Sequence, residues 1–177
     1  MNLYGIQIKT GKEQSFKKLV GQKLSDNEVS ILWPRRELVI RKKGIERKQE
    51  APIFPGYVFL QSTGLDPDLY WKVKRTPGFV RFLYSGESLN PLKGDDLQLI
   101  QHFLSFGEVV KQSEVVFDKN NKIQILEGPL KGLEGQIIKV NKRKKRAKVK
   151  LQLYENSFTI DFSFKDMKKL PEKDKNQ

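Results

Sequence analysis

The spacing of apolar residues along this chain changes character near residue 117, and that change limits the architecture more than any other feature. Upstream, two periods alternate. Tyr4, Ile6 and Ile8 are separated by Gly5, Gln7 and Lys9, the period of two expected for a strand with one buried face. Phe16, Leu19, Val20 and Leu24 then recur three and four apart, which predicts an amphipathic helix over 12–24. Extended patterns return over 30–62. Within them Lys42-Lys43-Gly44 offers a turn between Leu38-Val39-Ile40 and Ile45-Glu46-Arg47, giving a basic hairpin. Pro52 and Pro55 lead into an aromatic and β-branched strand ending Tyr57-Val58-Phe59-Leu60. A helix over 65–76, a strand over 79–83 and a helix over 95–105 follow. The last carries Leu97, Ile100, Phe103 and Leu104 on one face.

Downstream the helical period disappears. Ile123/Ile125, Ile138/Val140, Val149/Leu151/Leu153 and Phe158/Ile160/Phe162/Phe164 each alternate with polar residues, and four or five short strands in so few residues indicate a small barrel. The expected fold is α+β: an N-terminal α/β sandwich with a mostly antiparallel sheet over 1–106, a linker over 107–117, a barrel over 118–171 and a flexible tail over 172–177.

Composition narrows the chemistry. The chain has 177 residues, no cysteine and one histidine, so disulfide frameworks, thiolate metal sites and thiol nucleophiles are excluded. His102 lies within a helix, away from any triad or metal-ligand spacing, and reads as structural. No carboxylate pair sits in an apolar site that would raise a pKa. The chain is therefore expected to be a non-enzyme without cofactor or metal. No apolar run is long enough for a signal-peptide core or a membrane span, which leads to a cytoplasmic expectation with no membrane partner.

The net charge of +13 arises from 34 basic and 21 acidic residues and is uneven. Residues 117–177 hold 16 Lys/Arg against 8 Asp/Glu, nearly two thirds of the excess in one third of the length. Most of it belongs to Lys139, Lys142, Arg143, Lys144, Lys145, Arg146, Lys148 and Lys150, eight cations in twelve residues with no acid among them. Such a run repels itself, and a polyanion relieves that repulsion. A second basic group, Arg35, Arg36, Arg41, Lys42 and Lys43, with Arg47 and Lys48, lies on the hairpin and is diluted by Glu37, Glu46 and Glu50.

Within the barrel, Glu127-Gly128-Pro129-Leu130-Lys131-Gly132-Leu133-Glu134-Gly135 spaces three glycines four and three apart. This suits a tight loop between bent strands, stiffened by proline, and is not a P-loop, because no Gly-Lys-Ser/Thr follows. The segment resembles a KOW motif, the signature of the SH3-like barrel of NusG-family factors. Phe54-Pro55-Gly56-Tyr57-Val58-Phe59, then 71–82, then Leu89-Asn90-Pro91-Leu92 before a helix, are similar to the N-terminal domain of the same family in content and order. Nearly the whole chain is thus identified as resembling a NusG-family transcription elongation factor.

The resemblance implies an N-terminal domain that seats an apolar face on the clamp helices of the largest RNA polymerase subunit, with Tyr57, Phe59 and Phe54 as candidate contacts. It also implies that the hairpin residues Arg35, Arg36, Arg41, Lys42 and Lys43 lie near upstream DNA. The basic barrel resembles that of the LoaP group of specialised paralogues. This implies a monomeric processive antiterminator whose barrel binds a structured leader RNA through Lys131 and the eight cations of the basic run. Gln7 departs from the RfaH group, which has an aromatic at that place in the first strand. Two alternatives stay open: a general elongation factor whose barrel docks a termination factor or the ribosome, and a ribosome-associated RNA-binding protein.

Overall fold

The computed structural model describes residues 1–24, 28–84 and 88–168; the expected tail over 172–177 lies outside the described residues. The elements follow in the order β1 (Asn2–Ile8), α1 (Glu13–Lys23), β2 (Ser30–Leu32), β3 (Arg35–Lys42), β4 (Ile45–Pro52), β5 (Tyr57–Ser62), α2 (Pro67–Lys74), β6 (Phe79–Phe82) and α3 (Gly94–Leu104). They continue with β7 (Val109–Val110), β8 (Ser113–Phe117), β9 (Ile123–Glu127), β10 (Ile137–Asn141), β11 (Arg146–Leu153) and β12 (Asn156–Asp166).

The first sheet has the order β2-β5-β1-β6 with every pair antiparallel. Its two faces are buried against different things. Tyr4, Ile6 and Ile8 of β1 and Val58 and Leu60 of β5 join Phe16 and Val20 of α1 and Leu69 and Val73 of α2 in one apolar cluster. Tyr57 and Phe59 of β5, on the opposite face, join Ile100 and Phe103 of α3 in another. That second cluster continues without a break into the barrel, through Val149, Leu151, Phe162 and Phe164.

The expectation of one buried face on β1 is therefore corrected: Leu3 and Gly5 are buried as well as Tyr4 and Ile6. The cause is the docked barrel, whose Tyr154 reaches the glycine side of the strand. Local signals nevertheless place each element. Asp66 caps α2, its Oδ1 accepting from the Leu69 N–H at 2.8 Å, and Pro67 stands at the helix start where its missing N–H costs nothing. The buried Glu13 of α1 accepts from the Gly56 N–H at 2.9 Å and so ties the helix to the turn before β5.

The basic hairpin forms as expected. β3 and β4 pair over eight positions from Arg35↔Pro52 to Lys42↔Ile45. The two turn residues, Lys43 and Gly44, take φ of 52° and 74°, the left-handed geometry that matches the twist of a two-residue hairpin.

Residues 107–117 correct the expected linker. Val109 and Val110 form β7, parallel to Arg35 and Arg36 of β3, and Ser113–Phe117 is a full strand of the second unit. Only Lys111 and Gln112 lie between the two strands. Glu108 fixes the crossing, its carboxylate taking Lys17 Nζ at 2.5 Å and the Trp33 N–H at 2.9 Å. Two of the pairing partners of this segment, β3 for Val109 and Val110 and β12 for Ser113–Val115, lie far away in sequence, so its strands carry no local pairing signal for them.

The second unit is a curled, five-stranded half-barrel of order β10-β11-β12-β8-β9. β12 pairs antiparallel with β11 and parallel with β8. In the glycine loop, Gly128 has φ of 108°, and a Cβ there would lie 2.6 Å from the Ser113 Cα. Glycine is thus required both by the backbone angle and by the close approach of β8. Leu130, fully buried, donates its N–H to Ser113 Oγ at 2.9 Å and pins the loop to the barrel.

Candidate nucleic-acid and partner interfaces

Three aromatic residues, Phe54, Tyr57 and Phe59, lie together on the sheet face that meets the barrel. Phe54 packs edge-on against Phe59 and Phe103, at 6.3 and 6.0 Å between centroids. Phe158 of β12 crosses over the group, edge-on to Phe54 at 5.5 Å and to Tyr57 at 5.3 Å. All three are buried, the least so Tyr57 at 8% exposure. In the docked arrangement this face is an interior surface, and a partner reaches it only if the barrel leaves.

Polar contacts fix the docking on every side. Arg36 Nε donates to the Asp161 carbonyl at 2.5 Å, its Nη1 donates to the Pro52 carbonyl, and its guanidinium lies 5.9 Å from the Phe162 ring centre. The Val39 N–H donates to Ser163 Oγ at 3.0 Å. His102 Nε2 lies 2.6 Å from the Pro129 carbonyl, and the Tyr154 N–H donates to Asp96 at 3.1 Å. Burial pushes Arg36 down to about 10, against the pull of Asp161 and with the help of nearby Arg146. It remains a cation at neutral pH.

The tip of the β11–β12 hairpin carries the tightest contact. Tyr154 and Glu155 take φ of 48° and 65°, a left-handed pair that a tyrosine rarely adopts. That turn lays the Tyr154 ring where Gly5 has no side chain. Burial pushes the Tyr154 phenol up to about 12, eased by the nearby Gly5 backbone and reinforced by Asp96.

The hairpin cations divide by role. Arg36 is consumed by domain docking. Arg35 pairs with Glu50 at 2.6 Å and stacks over Trp33 at 4.6 Å, while Arg41 pairs with Glu46 at 3.1 Å. Lys42 and Lys43 stand exposed at the tip.

The barrel cations divide as well. Lys139, Lys144, Arg146 and Lys148 line one cavity with Asn141 and Asp161. Lys142 donates to Asn121 at 3.0 Å and sits 4.1 Å above the Phe117 ring centre. Lys145 holds the left-handed position of the β10–β11 turn, at φ of 52°, and Arg143 is exposed. Lys131 bonds back to the Ile125 carbonyl at 3.1 Å within the glycine loop. Lys150 faces elsewhere, lining a cavity with Asp95 and His102 of α3. None of the eight cations of the basic run makes an ion pair within 4 Å among the described residues.

Sequence reasoning did not find the docking residues Gly5, Arg36, Phe103, Tyr154, Phe158 and Phe162. A glycine inside an otherwise regular strand was the one available signal, since it marks close approach by another group. Among the described residues, no group of three or more His, Cys, Asp or Glu could hold a metal ion, and no helix is long and apolar enough to cross a membrane.

An antiparallel sheet backed by helices and joined through a two-residue crossing to a small basic half-barrel defines a two-unit α+β protein, with a continuous apolar cluster running between the units. Residues 1–101 match the family model described as transcription termination factor nusG, and the chain belongs to the NusG family. Similar proteins named transcription termination/antitermination protein NusG include that of Helicobacter pylori, 22% identical over 96% of this chain and 99% of the relative. Those of Synechocystis, 27% identical over 94% and 88%, and Bacillus subtilis, 23% identical over 96% and 98%, are similar along the same span. A solved structure described as domain interaction in Thermotoga maritima NusG shares the fold with a TM-score of 0.62, at 20% identity over 92% of this chain and 93% of that one.

Proposed function

We propose that this protein is a processive antiterminator that binds RNA polymerase through its N-terminal domain and a leader RNA hairpin through its barrel. The observation that carries the RNA reading is the basic run from Lys139 to Lys150, which makes no ion pair among the described residues. Mutual repulsion of eight cations is relieved by phosphate, and release of counterions from the RNA supplies affinity. Arginines suit forked contacts to phosphate or guanine, and lysines act as point charges.

The apolar face of Phe54, Tyr57 and Phe59 is the surface proposed to seat on the polymerase clamp helices. Phe158 must leave it first, so polymerase competes directly with the barrel for the same rings. DNA beside the elongating polymerase is met by Lys42 and Lys43 at the exposed hairpin tip, whereas Arg35 and Arg36 are engaged internally. The protein acts in the cytoplasm as a monomer, by binding rather than catalysis.

Single-round transcription across a terminator, with and without candidate leader hairpins, tests the reading: read-through is expected to rise only when a leader is present. Reversing Arg143, Lys144, Lys145 and Arg146 to glutamate is expected to abolish hairpin binding in a gel shift. An unchanged affinity and salt slope would remove the RNA role and leave general elongation control.

A further inference from the structure

The two basic groups that lie a hundred residues apart in sequence meet in space. Val39 and Arg41 of β3 share a cavity of about 690 Å³ with Asn141, Arg143, Lys144 and Arg146 of the barrel. A second cavity of about 300 Å³ adjoins it, placing Arg41 and Lys48 of the hairpin opposite Lys144, Lys145 and Lys165. Lys144 borders both, and Arg41 borders both from the other side. Both hairpin cations have an acid of their own: Arg41 pairs with Glu46 on the same wall, and Lys48 pairs with Glu37 at 3.5 Å. The barrel cations facing them have no ion pair among the described residues.

Arg146 links this cleft to the rest of the basic run. The residue is half-buried, and its Nε, like Trp33 Nε1 and the Tyr154 hydroxyl, is buried with no hydrogen-bond partner among the described residues. The side chain borders the interdomain cavity and the neighbouring one formed by Lys139, Lys148 and Asp161. An anionic oxygen entering the cleft would meet the Arg146 guanidinium and offset the repulsion of the surrounding cations.

From this we infer that the cleft between the β3–β4 hairpin and the β10–β11 turn is a composite binding site for the phosphodiester backbone of RNA, complete only while the barrel is docked. This rests on the proposed RNA role of the barrel and adds to it. Undocking leaves the barrel its own cations but removes Arg41 and Lys48. By linkage, RNA that uses all of them favours the docked arrangement, and docking raises affinity for RNA by the same factor. The same RNA then opposes exposure of Phe54, Tyr57 and Phe59. That modest cost is offset when the RNA is the transcript of the polymerase to be bound, because the tether raises the effective concentration of the polymerase surface that displaces the barrel.

The test uses the full chain and a fluorescently labelled RNA hairpin, with binding followed by anisotropy across a salt series. The paired substitution Arg41→Gln with Lys48→Gln is expected to weaken binding on the order of fivefold and to lower the salt slope by about two. The same pair is expected to have no effect in an undocked background, made from either side of the interface by Phe158→Glu or Gly5→Val. Docking is read separately by energy transfer between dyes on Gln14→Cys and Lys119→Cys, both exposed sites in a chain without cysteine. Added hairpin is expected to raise the docked fraction. An Arg41/Lys48 pair that binds RNA as tightly as the parent, or RNA that lowers the docked fraction, overturns the composite site. If Arg143→Glu with Lys144→Glu leaves binding intact in the undocked background, the barrel's RNA role fails instead. A duplex DNA of equal length that binds more tightly than the hairpin overturns the assignment to RNA.

Discussion

The ring of Tyr154 occupies the space that a side chain on Gly5 would need: a Cβ at Gly5 would lie 2.9 Å from Cε2 of that ring and 3.2 Å from its hydroxyl. The same Cβ would press on Leu83 Cδ1 at 2.8 Å. Gly5→Val is therefore expected to push the β11–β12 hairpin off the sheet while its β-branched side chain suits the strand itself. Energy transfer between the two units is expected to fall sharply, with far-ultraviolet circular dichroism unchanged. Retained energy transfer would show that the contact at Gly5 does not control docking.

Arg36 is expected to behave as a docking residue rather than a nucleic-acid contact. Arg36→Ala removes donors to the carbonyls of Asp161 and Pro52, and hydrogen bonds from a charged donor are worth about 1.5–3 kcal/mol each. Lysine cannot reproduce the fork, so Arg36→Lys is expected to rescue only part of the loss. Urea titration monitored on the barrel and on the N-terminal sheet should show the two transitions separating in Arg36→Ala. Coincident transitions at the parental midpoint would exclude the role.

Alkaline pH is expected to open the interface through Tyr154. Burial raises its phenol from the ordinary 10 to about 12, so the docked form holds the proton more tightly than the undocked form. The contribution of the neutral phenol is complete below pH 10, weakens as pH rises above that value, and is lost as pH passes about 12. Ultraviolet phenolate titration of the parent minus Tyr154→Phe should yield a component near 12. A difference titrating near 10 would contradict the burial of the hydroxyl.

Glu13 is expected to act on stability alone. Its buried carboxylate accepts the Gly56 N–H, and removing the acceptor leaves that donor unpaired at a cost of about 1–3 kcal/mol. Glu13→Ala should lower the urea midpoint while leaving hairpin RNA affinity unchanged, and an unaltered midpoint would refute the assignment.

Residues with a local signature were legible before the structure. The Lys42-Lys43-Gly44 turn, a helix within 65–76 and the alternation that sends Tyr57 and Phe59 opposite to Val58 and Leu60 each depend on neighbours in the chain. What covers Tyr57 and Phe59 was not legible, because Phe158 lies about a hundred positions away and also satisfies the pattern of its own barrel strand. Arg36 misled for a related reason: a cation on an exposed-looking hairpin gives no sign that a carbonyl on another unit will bury it. The basic run was visible as charge, but its division between the cleft and the α3 side follows from strand twist and turn geometry.

The two-residue crossing at Lys111 and Gln112 sets how far the barrel can travel once released. With β7 still zipped to β3, those residues span only about 7 Å when fully extended, too little to clear the sheet. Departure must therefore release Glu108 from Lys17 and the Trp33 N–H and peel Val109 and Val110 from Arg35 and Arg36, freeing a strap from Gly107 to Gln112 with a reach of roughly 20 Å. Opening is thereby a strand-melting event with a definite leash, and a barrel on so short a leash stays close enough to reclaim the aromatic face as soon as a partner lets go.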